Sequence, residues 1–272
     1  MAKRNAKGKQ DEGEDKPSAN LGDTATRFDL SEDPTAAMRQ PLTVLIVLAP
    51  LGLLAELYRF MSERKATLLA EEQWGQLGAI VGIDAPMVPI ILLALGCLGL
   101  HLIKRTPWEL PTARTVLMIV GWGVLWAVVR YAMAFTADTV HGGSANLTAD
   151  PTESMTAIGQ CGIAMSGALQ EEMVFRGVLL GALCLVVRAF GLTRTWCYLV
   201  ALPVSAALFS LAHTEVINHY AAAEPLTWSS FMRRFIAGLL YGYVFLRQGL
   251  ATSTLAHAGY NAAVVFRLGP WL

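Results

Sequence analysis

The sequence predicts an all-α fold, a polytopic membrane bundle of about eight transmembrane helices, and three observations predict it. Only 15% of the 272 residues are charged, against about 25% in ordinary globular domains. The mean hydropathy is +0.45, and the apolar residues gather into runs close to the ~20 residues that a helix needs to cross a bilayer. The 21 basic residues balance 21 acidic ones, so the chain lacks the basic excess of a nucleic-acid binder and no nucleic-acid partner is expected. A lipid bilayer is the partner that this composition leads one to expect.

Taken in order, residues 1–40 hold seven Lys/Arg and eight Asp/Glu with few large apolar side chains. They read as a disordered cytoplasmic tail, since no apolar core follows the basic start as it would in a signal peptide. Residues 41–156 form a first group of spans. Leu42 to Leu57 is nearly all apolar, with Pro50-Leu51-Gly52 as a tolerated kink. The mixed stretch 59–82 reads as a loop with an interfacial helix, and 85–103 and 116–135 read as two strong spans. A polar loop from Thr136 to about Thr156 follows.

Residues 157–268 then pack shorter helices at about 157–172, 174–190, 196–212, 229–246 and 250–266. Lys104, Arg105 and Arg114 lie between the second and third spans, whereas residues 136–156 hold no Lys or Arg. That asymmetry puts the former in the cytoplasm of a multi-pass protein of the plasma membrane. Eight crossings then return both termini to the cytoplasm, with helix four running inward and ending near Gln170 to Glu172. Cys97, Cys161, Cys184 and Cys197 form no C-x-x-C pair and lie in or beside apolar runs, where cysteine packs as a small hydrophobe.

Charged residues inside an apolar helix cost about 2.5–3.5 kcal/mol on insertion scales, and those that persist face a cavity or a partner. The first such group is Glu171-Glu172-Met173-Val174-Phe175-Arg176. Glu172 and Arg176 stand four apart and share a helical face, whereas Glu171 points elsewhere and is left for other work. The second is Phe209-Ser210-Leu211-Ala212-His213, whose ring and imidazole are again four apart and which lies level with Glu171. The third is His257-Ala258-Gly259-Tyr260-Asn261, with His257 and Asn261 on one face. A glutamate, two histidines and an asparagine supply a base, a second proton-handling group and donors for an oxyanion, the set required for acyl transfer to water.

In order and spacing, Glu171-Glu172-x-x-x-Arg176, Phe209-x-x-x-His213 and His257-x-x-x-Asn261 resemble the three motifs of the CPBP family. That family comprises the type II CAAX prenyl endopeptidases and the bacteriocin-processing or self-immunity membrane proteases. The resemblance covers roughly Gly159 to Phe266 and implies an eight-helix intramembrane endopeptidase whose partner is a membrane-associated protein or peptide substrate. By motif position, Glu171 and His213 would activate a water, His257 and Asn261 would stabilise the oxyanion, and Glu172, Arg176 and Phe209 would support them. No cofactor is favoured. The alternative makes Glu171, His213 and His257 zinc ligands, although no His-Glu-x-x-His occurs and Asn is a poor zinc ligand. The competing functional reading is a non-proteolytic membrane scaffold or immunity-type protein of the same family.

The remaining polar residues have plainer expectations. His101 is interfacial, while His141, His219 and Glu215 face water. Arg130 needs a carboxylate, for which Glu56 is the guess. Arg233 and Arg234 anchor the topology, and Asn146-Leu147-Thr148 has the spacing of a glycosylation acceptor.

Overall fold

A helix is the one open-chain element that satisfies its own backbone in an apolar setting, and every assigned apolar run is helical. The computed structural model describes residues 35–61, 88–106, 108–141, 157–217 and 225–266. Within them a short 3₁₀ turn at Ala37–Arg39 leads into α1 (Pro41–Met61), which carries Pro50 inside it. Then come α2 (Val88–Lys104), α3 (Ala113–His141), α4 (Ala157–Glu172), α5 (Gly181–Ala189), α6 (Leu202–Ala212), α7 (Trp228–Gln248) and α8 (Leu250–Val265). The tail, residues 62–87, His219 and the Asn146-Leu147-Thr148 triplet lie outside the described residues.

One junction changes the expected architecture. Between α4 and α5, Met173–Leu180 is π-helical, and its flanking residues Glu172 and Gly181 both keep right-handed helical backbone angles. The chain therefore runs on from 157 to 189 as one rod, and the turn expected after residue 172 is absent. The helix expected at about 196–212 is present as one rod, in which the single α-turn Arg194–Trp196 and the π-helical Cys197–Ala201 run directly into α6. Among the described residues the helices thus form seven rods rather than eight. Two stretches, Ala113–Thr136 and Arg194–Ala212, are long and apolar enough to cross a membrane by themselves; Pro41–Leu54 and Ile90–Lys104 are shorter apolar helices.

α8 is the centre of the bundle, packed against α3, α4 and α7, with α1 on α2 and α4 and with α6 on α7. Small residues allow these approaches. A Cβ on Gly123 would stand 2.7 Å from Leu255 Cβ, and one on Gly238 would stand 2.9 Å from Ala206 Cα. The corner between α7 and α8 is Gly249, whose φ of +93° suits glycine. Outside, Leu95, Ile103, Leu117, Val124, Val128, Leu185 and Leu199 are exposed, an apolar mantle far broader than a water-facing protein sustains.

Candidate active site

α4 brings two adjacent carboxylates to the centre of the bundle, and helical geometry separates their work. Glu172 is fully buried. Its Oε1 lies 3.2 Å from Arg176 Nη1 and 3.0 Å from His257 Nδ1. Its Oε2 accepts from Ser253 Oγ at 2.5 Å. Arg176, equally buried, spreads its guanidinium over the Phe209 ring at 4.3 Å. The charges are thereby paired where an isolated ion would be costly, while Arg176 Nη1 and Nη2 make no hydrogen bond of good geometry. Within the π-helical stretch, the carbonyl of Phe175 accepts a hydrogen bond from Ser205 Oγ at 3.0 Å, through a lone pair that a carbonyl keeps beside its backbone bond.

Glu171 points toward the two imidazoles. Its Oε1 is 3.4 Å from His213 Nε2 and its Oε2 is 3.8 Å from His257 Nε2. Each histidine is held at its other nitrogen: His213 Nδ1 lies 2.8 Å from the carbonyl oxygen of Phe209, and His257 Nδ1 faces Glu172. A carbonyl or an ionised carboxylate only accepts, so both Nδ1 atoms carry the proton. Both Nε2 atoms are then lone pairs when the rings are neutral. A carboxylate and two imidazole lone pairs converging on one point offer acceptors to a water or to a shared proton.

Aromatic rings fix this arrangement. Phe209 packs edge-on to His213 at 4.7 Å between centroids and to Phe175 at 5.2 Å, while Tyr241 stacks on His257 at 4.5 Å. Asn261 is placed one turn beyond His257, where its Nδ2 donates to the Ala164 carbonyl at 3.3 Å and ties α8 to α4. One of its two N–H groups is committed by that bond.

Every motif residue thus falls in one neighbourhood, and two members of it, Ser253 and Tyr241, were not among the residues the sequence singled out. Ser253 stands four residues before His257 on the same helical face, which its sequence position offered as a clue. Tyr241 comes from α7, with no motif around it. Arg234 lies within electrostatic range of Glu171, closer to the cluster than a topological anchor requires.

The remaining expectations divide. Glu215 is exposed, as expected. His101, at the end of α2 beside Lys104, is buried, with Nδ1 2.7 Å from Thr106 Oγ1 and its ring against Trp108. Arg130 rests 4.3 Å from the centre of the Tyr260 ring, and the side chains of Glu56 and His141 lie outside the described ones. All four cysteines are free thiols. Among the described residues no group of three or more His, Cys, Asp or Glu is arranged to hold a metal ion.

Comparison with known proteins agrees with the motifs. Residues 155–263, which contain every residue of the cluster, match the family model described as type II CAAX prenyl endopeptidase Rce1-like. The resemblance read from the motifs is borne out over that segment. No curated protein and no solved structure matches the chain.

Proposed function

We propose that this chain is an integral-membrane endopeptidase that hydrolyses a peptide bond near the end of a membrane-associated substrate, of which a prenylated C-terminal peptide is the first to try. The observation that carries the reading is the Glu171 carboxylate faced by two imidazole lone pairs, at 3.4 and 3.8 Å. A water held there gives a proton to Glu171 as its oxygen attacks the scissile carbonyl, and His213 steadies the same water. The proton then reaches His257 Nε2, where the Glu172 carboxylate at Nδ1 offsets the charge that the ring acquires. As an imidazolium, His257 donates to the oxyanion, and the uncommitted N–H of Asn261 is a second donor. Collapse of the tetrahedral intermediate returns the proton to the leaving amine.

This route uses side chains alone. A bilayer setting is supported by the apolar mantle, by the two long apolar helices and by the family match. Seven or eight crossings, the plasma membrane and a cytoplasmic tail are the finer proposals.

The test is cleavage of a farnesylated, fluorogenic peptide by the full chain in nanodiscs. Glu171→Gln and His213→Ala are each expected to lower the rate at least ~100-fold, within the ~10²–10⁴ that positioned acid–base catalysis contributes. Cleavage that survives in the Glu171 variant rejects the base. Chelators are expected to leave the wild-type rate unchanged, whereas a loss restored only by zinc moves Glu171, His213 and His257 to metal ligands.

A further inference from the structure

Arg130 is a buried cation whose charge no described carboxylate answers. Only 8% of it is exposed, its Nε has no hydrogen-bond partner, and its guanidinium is met by the face of Tyr260. The two carboxylates of the core, Glu171 and Glu172, are engaged by His213, His257, Arg176 and Ser253. A second buried donor without a partner is the Tyr241 hydroxyl. Tyr241 is 1% exposed, its Oη has no partner, and it lies within electrostatic range of Arg130 and Tyr260. Its ring is the one stacked on His257.

A guanidinium without a carboxylate and an O–H without an acceptor therefore lie within electrostatic range of each other, the O–H on the ring that stacks on His257. Tyr131 and Gly259, the sequence neighbours of Arg130 and Tyr260, line an apolar cavity of about 470 Å³ between α3 and α8, with Val124, Ala127, Val128 and Ala258. Holding a bare guanidinium in such surroundings is costly, and a carboxylate that accepts from both donors removes that cost with charge-assisted hydrogen bonds.

We propose that Arg130 and Tyr241 form the subsite that binds a carboxylate of the peptide substrate, specifically its free C-terminus. The inference rests on the hydrolytic reading above. Tyr260, on whose ring the guanidinium rests, follows His257 by three residues on α8, and Tyr241 stacks on His257 itself, so a chain end held by these two donors sets the cut close to the terminus. A side-chain carboxylate would bring the onward chain with it, and the apolar cavity offers that backbone almost no hydrogen-bond partners.

The experiment measures binding in nanodiscs with the full chain carrying Glu171→Gln, so that bound peptide persists. The probes are a farnesylated peptide with a free C-terminus, its C-terminal amide, and an amide with Glu as its last residue. The acid is expected to bind at least ~10-fold more tightly than the plain amide, as a charge-assisted pair implies. Arg130→Gln is expected to erase that preference and Arg130→Lys to keep part of it. Equal binding of acid and amide, or a preference that persists in Arg130→Gln, overturns the subsite. An Arg130-dependent preference for the Glu-terminated amide keeps the carboxylate subsite and assigns it to a side chain.

Melting separates binding from support. Without peptide, Arg130→Gln is expected to melt no lower than its parent, because it removes an unanswered charge; a marked fall makes Arg130 structural and overturns the proposal. Cleavage of the acid peptide by the unsubstituted chain is read separately. Arg130-dependent binding without cleavage defeats the hydrolytic reading alone, and cleavage without Arg130-dependent binding defeats the subsite alone.

Discussion

Glu172 and Glu171 are neighbours in sequence with opposite physical situations, and single substitutions should part them. Glu172 is fully buried among Arg176, His257 and Ser253, so Glu172→Ala leaves a buried guanidinium without its counter-charge. The expected loss is about 3–5 kcal/mol, the range for breaking a buried ion pair from one side. Replacing both partners, Glu172→Gln with Arg176→Met, should recover at least half of it, because no uncompensated charge then remains. Denaturant unfolding of the single and double variants in one detergent measures this, and a double variant as unstable as Glu172→Ala would contradict the pairing. Glu171→Gln, by contrast, should melt with the wild type while losing cleavage. Spacing alone made much of this legible: the i, i+4 pairs Glu172/Arg176, Phe209/His213 and His257/Asn261 follow from helix geometry. The stacking of Tyr241 on His257 was not legible, because it depends on how α7 crosses α8, and no local pattern encodes a crossing.

At the scale of elements, apolarity located every helix but misread one junction. Glu171, Glu172 and Arg176 interrupt a hydrophobic run, and an interruption in apolarity looks the same whether the chain turns back or continues. What distinguishes the two is backbone hydrogen bonding, which here shifts to i, i+5 over Met173–Leu180, where Ser205 Oγ also donates to the Phe175 carbonyl. Close helix contacts at glycine were equally hidden, since a glycine at a contact and a glycine facing outward read alike. They yield a paired prediction. Gly238→Ala pushes its methyl toward the Ala206 backbone, which cannot rotate away, and should destabilise by about 1–3 kcal/mol as overpacking does. Gly121→Ala meets nothing within 4 Å and should be neutral or stabilising by about 0.5–1 kcal/mol, the gain of alanine over glycine in a helix. Thermal unfolding of the two variants side by side checks it, and an equal effect in both would remove the α6–α7 contact as the cause.

For the molecule as a whole, joining 157 to 189 in one rod changes which ends of the chain lie together. Met38 packs with Ile119 of α3 and Ala251 of α8, and Ala127 meets Gly259 further along, so α3 and α8 run in parallel from the end where the described chain starts. Arg39 Nη1 donates to the Arg247 carbonyl at 2.8 Å and Arg194 Nη2 to the Leu246 carbonyl at 3.0 Å, so these residues share that end. Arg114 opens α3 there, and Lys104 closes α2 there after its Ile90 has met Gly52 on α1. Arg39, Lys104, Arg114 and Arg194 thus gather at one end, while Arg233 and Arg234 near the start of α7 lie toward the other; on the positive-inside rule the first end is the one expected in the cytoplasm. Phe266 lies fifteen residues beyond Ala251 along α8, or about 22 Å at 1.5 Å per residue. It therefore falls at the opposite end, and His213 closes α6 on that same side, remote from Arg194. The two termini that eight crossings would have placed together are expected on different faces. With the four native cysteines replaced by alanine, Ala36→Cys should react with a membrane-impermeant maleimide from the cytoplasmic face, and Phe266→Cys from the other. Labelling of both from one face would require a reversal between 172 and 181, and with it a different set of neighbours for Glu171.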